Sequence, residues 1–391
     1  MENRSQDPVK PSLELLRSLT DEHVLRALMH QRRLTRADLA AGTGISKPAV
    51  GDSVRRLTEA GFLADTGERT AGGRGRGRVG SYYALADAVG TALAVSIAPE
   101  GIVAELIDAH GDTMARAEHA VSAPARPDEV SAALGAAVTR ATDAAAPPPR
   151  LAVVSAADPV DRATGRLVEL PDAPFLLGEL DAAAVLAPFT AGPVIVDNDV
   201  NWAARAEREH ASLAPDDFAY LYLGDGLGAA VVGDGEVRRG HAGLAGEVTH
   251  LLTAGPDGQA MPFTEVFAGL GLRRPGSAAI DSGRLVAAVA ADEAVRRDLG
   301  RAIGGVLAAL VAIADPAVII AGGPWGSHLA VGEVIAGAAA RLPRPVPVRT
   351  AEVTTEPSLA GARADALLRL RAAIITAARD SRAAPATTQG R

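Results

Sequence analysis

The chain has no cysteine among its 391 residues. That excludes disulfides and every thiolate metal site, and it suits the cytoplasm. Lysine is almost absent: Lys10 and Lys47 stand alone, and arginine supplies the other cations. With so much alanine, glycine and arginine, this reads as the base composition of a GC-rich genome, not as chemistry. No run of about 18 uncharged apolar residues occurs, so no membrane-spanning helix is expected. The opening "MENRSQDPVKPS" lacks an apolar core, so it is not read as a secretory signal.

What is present suits a soluble globular protein of two or three domains: 48% of residues are hydrophobic and 22% charged. The net charge of −8 is unevenly spread. Residues 1–90 carry 14 Lys and Arg against 11 Asp and Glu, a net of +3 that leaves −11 for the remainder. A mildly basic N-terminal segment on an acidic body is an asymmetry that nucleic-acid binders show.

Residues 13–30 place Leu13, Leu16, Leu19, Val24, Leu25, Leu28 and Met29 at helical spacing. In "LTRADLAAGTGISKPAVGDSVRRLTEAGFL", Thr35 can cap a short helix that Gly42 and Gly44 break. Ser46 can cap a second helix, whose first turn tolerates Pro48 and whose inner face is Val50, Val54 and Leu57. Helix, glycine turn and helix describe a helix-turn-helix, with the second helix in the major groove. Two strand-like pieces follow, around a loop in which Arg74, Arg76 and Arg78 alternate with glycines. That is the composition of a wing that touches phosphates or a narrow minor groove. A plain helical hairpin and a basic linker are the blander alternatives. The candidate DNA contacts are Thr35, Ser46, Lys47, Ala49, Ser53, Arg55 and Arg56, with Arg74, Arg76 and Arg78 on the wing. Asp52 is expected to orient Arg56 one turn on.

From about Val89 the pattern becomes strands grouped with alternating helices in two similar halves, which argues for an α/β fold. Three polar clusters fall at strand ends, where α/β ligand sites lie. In "VIVDNDVN", Asn198 and Asp199 can bind hydroxyls, with Asp199 able to act as a general base, or can simply cap a helix. "GDGLG" is a glycine turn whose amides can cradle an anion, or an ordinary hairpin. "GHAGLAGEVTH" sets Glu247 and His250 three apart. His250 can equally be a structural histidine.

These clusters, in this order, resemble the ROK family of sugar kinases and sugar-responsive repressors. "VIVDNDVNWAARAE" resembles its strand–NDxN–helix. "YLYLGDGLGAAVVGDGEVRRGHAGLAGEVTH" resembles its glycine hairpin followed by GxAGExGH, with Thr249 where the family has glycine. "DPAVIIAGG" resembles its late glycine turn. The resemblance implies an actin/hexokinase-like fold of two α/β lobes with ligand between them, preceded here by the winged helix-turn-helix of the repressor branch. It implies sugar contacts at Asn198, Asp199, Glu247, His250 and Glu265, with Asp199 at the kinase base position.

Two departures bear on activity. The family's DxGGT phosphate loop falls on "SIAPE", Ser96 to Glu100. Proline removes an amide and Glu100 puts a negative charge where phosphate would sit. The family's cysteine-bearing zinc loop is replaced by "LLTAGPDGQAMP", so no metal is expected; packing by Met261 and Phe263 must hold that loop.

The expectation is therefore a winged helix-turn-helix over 13–86, a two-lobed ROK-like domain over 87–378, a flexible tail at 1–12 and a disordered tail at 379–391. The expected function is a DNA-binding regulator, a repressor, whose degenerate kinase-like domain senses a sugar. It needs no cofactor and is not an enzyme. Its expected partners are double-stranded operator DNA, a sugar effector and a second copy, as a dimer or a dimer of dimers. A constitutive DNA binder with a dead pocket and an active ATP-dependent sugar kinase stay open as alternatives.

Overall fold

The computed structural model describes residues 13–70, 80–143, 145, 147–171, 173–210 and 215–383. The N-terminal unit is α1 (Leu13–His30), β1 (Leu34–Thr35), α2 (Arg36–Thr43), α3 (Lys47–Glu59), β2 (Leu63–Arg69) and β3 (Ser81–Leu85). Thr35 and Asp38 form a reciprocal capping box at the start of α2, and Gly44 ends it in the left-handed region. The Ser46 hydroxyl accepts from the Ala49 amide at 3.4 Å, and Pro48 sits in the first turn of α3. The strands order β1-β3-β2, with Leu34 opposite Tyr83. β1 is too short to show alternation in a sequence.

The first lobe holds β4 (Ala92–Ala98), β5 (Gly101–Ile107), β6 (Thr113–His119), α4 (Pro127–Thr142), β7 (Ala152–Ala156), α5 (Ala182–Leu186), β8 (Val194–Asn198) and α6 (Asp199–His210). The second holds β9 (Phe218–Leu223), β10 (Leu227–Gly233), β11 (Glu236–Val237), β12 (Leu252–Ala254), β13 (Ala260–Pro262), α7 (Phe263–Gly269), α8 (Ser282–Ala291), α9 (Glu293–Ala314), β14 (Val318–Gly322), α10 (Leu329–Ala339) and β15 (Val348–Thr350). α11 (Pro357–Ala383) closes the described chain and packs back on the first lobe.

Each lobe is built on a five-stranded sheet of one design: β6-β5-β4-β7-β8 and β11-β10-β9-β14-β15. In each, an antiparallel meander is extended by two parallel strands reached through helices. Central strands are covered on both faces, so they read as unbroken apolar runs. Along β4 the pleat sends Leu93, Val95 and Ile97 to the cluster that includes α4, and Ala92 and Ala94 to the opposite cluster.

That opposite cluster joins three units. It includes Val24, Leu25 and Leu28 of α1, Val50, Val54 and Leu57 of α3, and Leu359, Ala362, Ala366, Leu370 and Ile374 of α11. The N-terminal unit is thus cemented to the first lobe and to α11 by one apolar core. The boundary expected at 378 falls short, because α11 continues to Ala383 and Arg379 pairs with Glu22 of α1. Residues 1–12 and 384–391, expected as tails, lie outside the described residues.

Candidate functional site

On the N-terminal unit, Ser46 at the cap of α3 and Lys47 and Arg55 along it are exposed, and Ala49 is half-buried. The outer side of α3 therefore presents exposed polar groups, as a recognition helix requires. Four sequence expectations change. Ser53 is fully buried, and its hydroxyl donates to Asp21 at 2.6 Å. Arg56 donates to the same carboxylate at 2.6 Å, so it braces α3 against α1. Asp52 pairs with Arg55 at 3.1 Å, three residues on, because Arg56 turns inward. Thr35 is buried, and its hydroxyl is spent on the α2 cap. The sequence pattern placed Ser53 and Arg56 on the outer face because Asp21 lies 32 and 35 residues away and gave no local signal. Arg74, Arg76 and Arg78 lie outside the described residues.

A cavity of about 760 Å³ opens between the two sheets. Strand ends from both lobes converge on it, as expected for α/β folds. β8 ends at Asn198 and α6 begins at Asp199 with no turn between. Both side chains cap that helix: the Val200 amide donates to Asn198 Oδ1 at 2.9 Å and to Asp199 Oδ1 at 2.8 Å. Both also line the cavity, so capping and a ligand-facing position coexist. Asp197, buried behind them, accepts from Asn201 at 2.9 Å and pairs with Arg239 at 3.2 Å, which ties β8 to the second lobe.

Glu247 is set by Gly246. That glycine has φ +100°, and a Cβ there would lie 1.8 Å from the Ala229 carbonyl oxygen. No other residue fits. Thr249 donates its hydroxyl to the Leu227 carbonyl at 3.1 Å, which anchors the loop to β10. His250 lines the cavity with Nε2 3.2 Å from the Pro171 carbonyl oxygen. Glu265 is not brought to the cavity. It pairs with Arg273 at 3.1 Å, and its neighbour Thr264 contributes to the wall instead.

The segment Ser96–Glu100 forms the end of β4 and its turn into β5, closed by the pair Ala98–Gly101. Ser96–Ala98 are committed to the ladder, and Glu100 in the turn faces the cavity. The "GDGLG" segment is the β9–β10 hairpin. Its Gly224 amide is used within the turn, and Asp225 points to the cavity, held by Arg274 at 2.8 Å. Both turns carry a carboxylate where an anion would approach.

Sequence reading missed Asp158, which follows β7 and is 2% exposed. Its Oδ2 has no hydrogen-bond partner. Nothing in "SAADPVD" marks it; only the fold carries it to the cleft wall. Burial pushes the Asp158 carboxyl up to about 7, against the Leu176 amide and aided by the charge of Glu247. Burial likewise raises Glu247 to about 7. Asp199 rises to about 8 through burial, opposed by the Val200 amide and reinforced by the charges of Asp158, Glu247 and Glu100.

Comparison with known proteins bears on both units. The ROK family pattern matches residues 92–364. The chain belongs to the ROK family. A winged helix-turn-helix DNA-binding pattern matches residues 17–64 ahead of it. A ROK family transcriptional regulator, a homologue of the E. coli Mlc protein, superposes with TM-score 0.62 at 18% identity, covering 93% of this chain and 99% of that one. A ROK hexokinase from Thermus thermophilus superposes with TM-score 0.53 at 26% identity over 72% of this chain and 99% of its own. The bifunctional enzyme NanE/NanK of Brucella suis biovar 1 is 32% identical over 163 residues, 40% of this chain. The chain spans only 30% of that curated relative's length.

In this ROK chain the segment "LLTAGPDGQAMP" folds as the β12–β13 hairpin, with Thr253 opposite Met261. Thr253 donates to the Ala302 carbonyl of α9 at 2.6 Å, and Phe263 is fully buried against Phe267 with ring centroids 5.2 Å apart. The hairpin is therefore held by a backbone ladder and a side-chain hydrogen bond as well as by packing. Among the described residues no three His, Asp or Glu side chains are placed to share a metal ion, and no helix is long and apolar enough to cross a membrane.

Proposed function

We propose that this protein is a sugar-responsive transcriptional regulator of the ROK family, a repressor. Its winged helix-turn-helix binds operator DNA, and its interlobe cavity binds the effector. The carrying observation is the path of α11. Its first residues, Pro357, Ser358 and Leu359, line the cavity. Its body shares one apolar core with α1 and α3. A ligand that closes the lobes around Asn198, Asp199, Glu247 and His250 displaces the start of α11, and a rigid helix carries that displacement to the DNA-binding unit.

Phosphoryl transfer is not part of this reading. Among the described residues lining the cavity there is no Lys or Arg, and Glu100 and Asp225 occupy the turns that would face phosphates. Like charges at about 4 Å cost about 4 kcal/mol at a surface-cleft dielectric. Asp199 then serves as a hydroxyl acceptor. Two copies act together on DNA, since one recognition helix reads only a few base pairs.

The test is a thermal-shift screen of the full chain against sugars, sugar phosphates and ATP, with DNA affinity measured for each hit. A sugar that raises the melting temperature and changes DNA affinity, with ATP silent, supports the regulator. Stabilisation by ATP with sugar phosphorylation supports a kinase. Silence from every compound supports a constitutive DNA binder.

A further inference from the structure

The cavity's charge narrows the effector further, resting on the reading above. Seven carboxylate side chains line the cavity among its described residues, and no Lys or Arg does. The two histidines in the wall, His119 and His250, are both exposed. Arg116 pairs with Glu118 and Glu356, and Arg274 with Asp225, from behind the wall. Among the described residues, the acceptors with no cation beside them are therefore Glu100, Asp158, Asp199 and Glu247, and these disfavour phosphorylated and acidic sugars.

Asp158 is the decisive residue. It is almost wholly buried, the Leu176 amide reaches its carboxyl from one side, and its Oδ2 meets no donor. An unpaired buried carboxylate oxygen is costly, and protein structures keep such groups where a ligand completes them. Burial keeps Asp158, Asp199 and Glu247 partly protonated near neutral pH, and a neutral sugar hydroxyl would offer one ordinary hydrogen bond and leave them so. An alkylammonium offers three donors and a full positive charge, and bonds of that kind are about twice as strong as neutral ones. A bare metal ion suits the site less, because the carboxylates do not converge on one point.

We propose that the cavity takes an amino sugar in its protonated form, with the ammonium against Asp158 Oδ2 and the hydroxyls on Asn198, Asp199 and Glu247. Binding is non-covalent, and Asp158 discriminates between the amine and its neutral counterparts.

The test is isothermal titration calorimetry of the full chain at neutral pH with three matched sets. Glucosamine, mannosamine and galactosamine are each compared with the parent sugar, the N-acetyl derivative and the 6-phosphate. At least one amine is expected to bind about tenfold or more tightly than all three of its counterparts. Asp158→Asn, which keeps an acceptor for the Leu176 amide, is expected to bring that preference to within about twofold. The proposal is overturned if, in every set, a neutral, acetylated or phosphorylated sugar binds as tightly as the amine. It is also overturned if a folded Asp158→Asn protein keeps the preference. Wild-type selectivity decides the matter if that variant does not fold. If in every set a neutral sugar binds as tightly as its amine and shifts DNA affinity, the amine proposal falls and the regulator stands. An amine that binds with the stated preference but leaves DNA affinity unchanged supports the site and sinks the regulator. No binding by any compound sinks both.

Discussion

Arg371, midway along α11, donates to the carbonyl of Met29, the penultimate residue of α1, at 3.2 Å. The same guanidinium donates to Ala109 at 2.9 Å and His110 at 3.4 Å in the β5–β6 turn. One side chain therefore clamps the end of the first DNA-binding helix to the ligand-binding lobe, and a cation at a helix C-terminus is itself favourable. Arg371→Ala should cost about 1–2 kcal/mol of stability, from carbonyls left without donors. Its sharper effect is on coupling: sugar affinity should stay within about twofold of wild type while the sugar's effect on DNA affinity largely disappears. Calorimetry and fluorescence anisotropy on the same preparation check both. Intact coupling would remove Arg371 from the route.

Asp21, 4% exposed, holds both Ser53 and Arg56. Asp21→Ala strands a part-buried guanidinium and should destabilise the chain by about 2–3 kcal/mol in denaturant unfolding. Ser53→Ala should cost about 1 kcal/mol and leave DNA affinity unchanged.

Lys47→Ala should act in the opposite way to those two. Stability should hold, DNA affinity should fall, and the slope of log affinity against log salt should flatten by about one. A salt titration of anisotropy separates the cases. An unchanged slope would take Lys47 off the phosphate backbone.

Gly246→Ala meets both a left-handed backbone and the Ala229 carbonyl at 1.8 Å. The loop carrying Glu247 must shift, so stability should fall by about 2 kcal/mol or more and sugar binding should be lost. Gly258, at φ +82° with nothing within 4 Å of a Cβ, is the control. Gly258→Ala should cost about 1 kcal/mol and leave binding intact. Equal losses in the two variants would contradict the close-approach argument.

The carboxyls of Asp158 and Glu247 at about 7, and of Asp199 at about 8, make stability fall as pH rises. Each is raised above its unfolded value, so the folded chain holds protons that the unfolded chain has released above about pH 4–5. That contribution is full below the unfolded values and is lost as pH climbs through 7 and 8. Each proton so held is worth up to about 1.4 kcal/mol per pH unit. The melting temperature should therefore decline from about pH 5 to about pH 8 and level off above, and Asp158→Asn should flatten the decline. A flat wild-type profile would contradict the burial argument.

Much of the architecture is legible in the residues alone, because local rules govern it. Capping at Thr35 and Ser46, apolar spacing at Val50, Val54 and Leu57, and unbroken apolar strands with glycine turns all act over a few residues. They specify a winged helix-turn-helix followed by an α/β body. The pairs that look polar by spacing behaved differently. Asn198, Asp199, Glu247 and His250 do reach one cavity, since the first two sit where β8 meets α6 and Gly246 forces the loop that carries the other two. Glu265 does not, because Arg273 on the next loop captures it.

What the sequence by itself determined is the order of elements, the absence of thiolate chemistry and the absence of glycine from Ser96–Glu100. Each follows from composition or from interactions a few residues apart. Only the tertiary structure decided that Ser53 and Arg56 turn inward to Asp21, that α11 joins the cavity to α1, and that Asp158 enters the cleft with an unpaired oxygen. Those relationships span from 32 residues to most of the chain. Burial and charge at such separations exist only once the two lobes and the DNA-binding unit have packed together, so no local pattern could announce them.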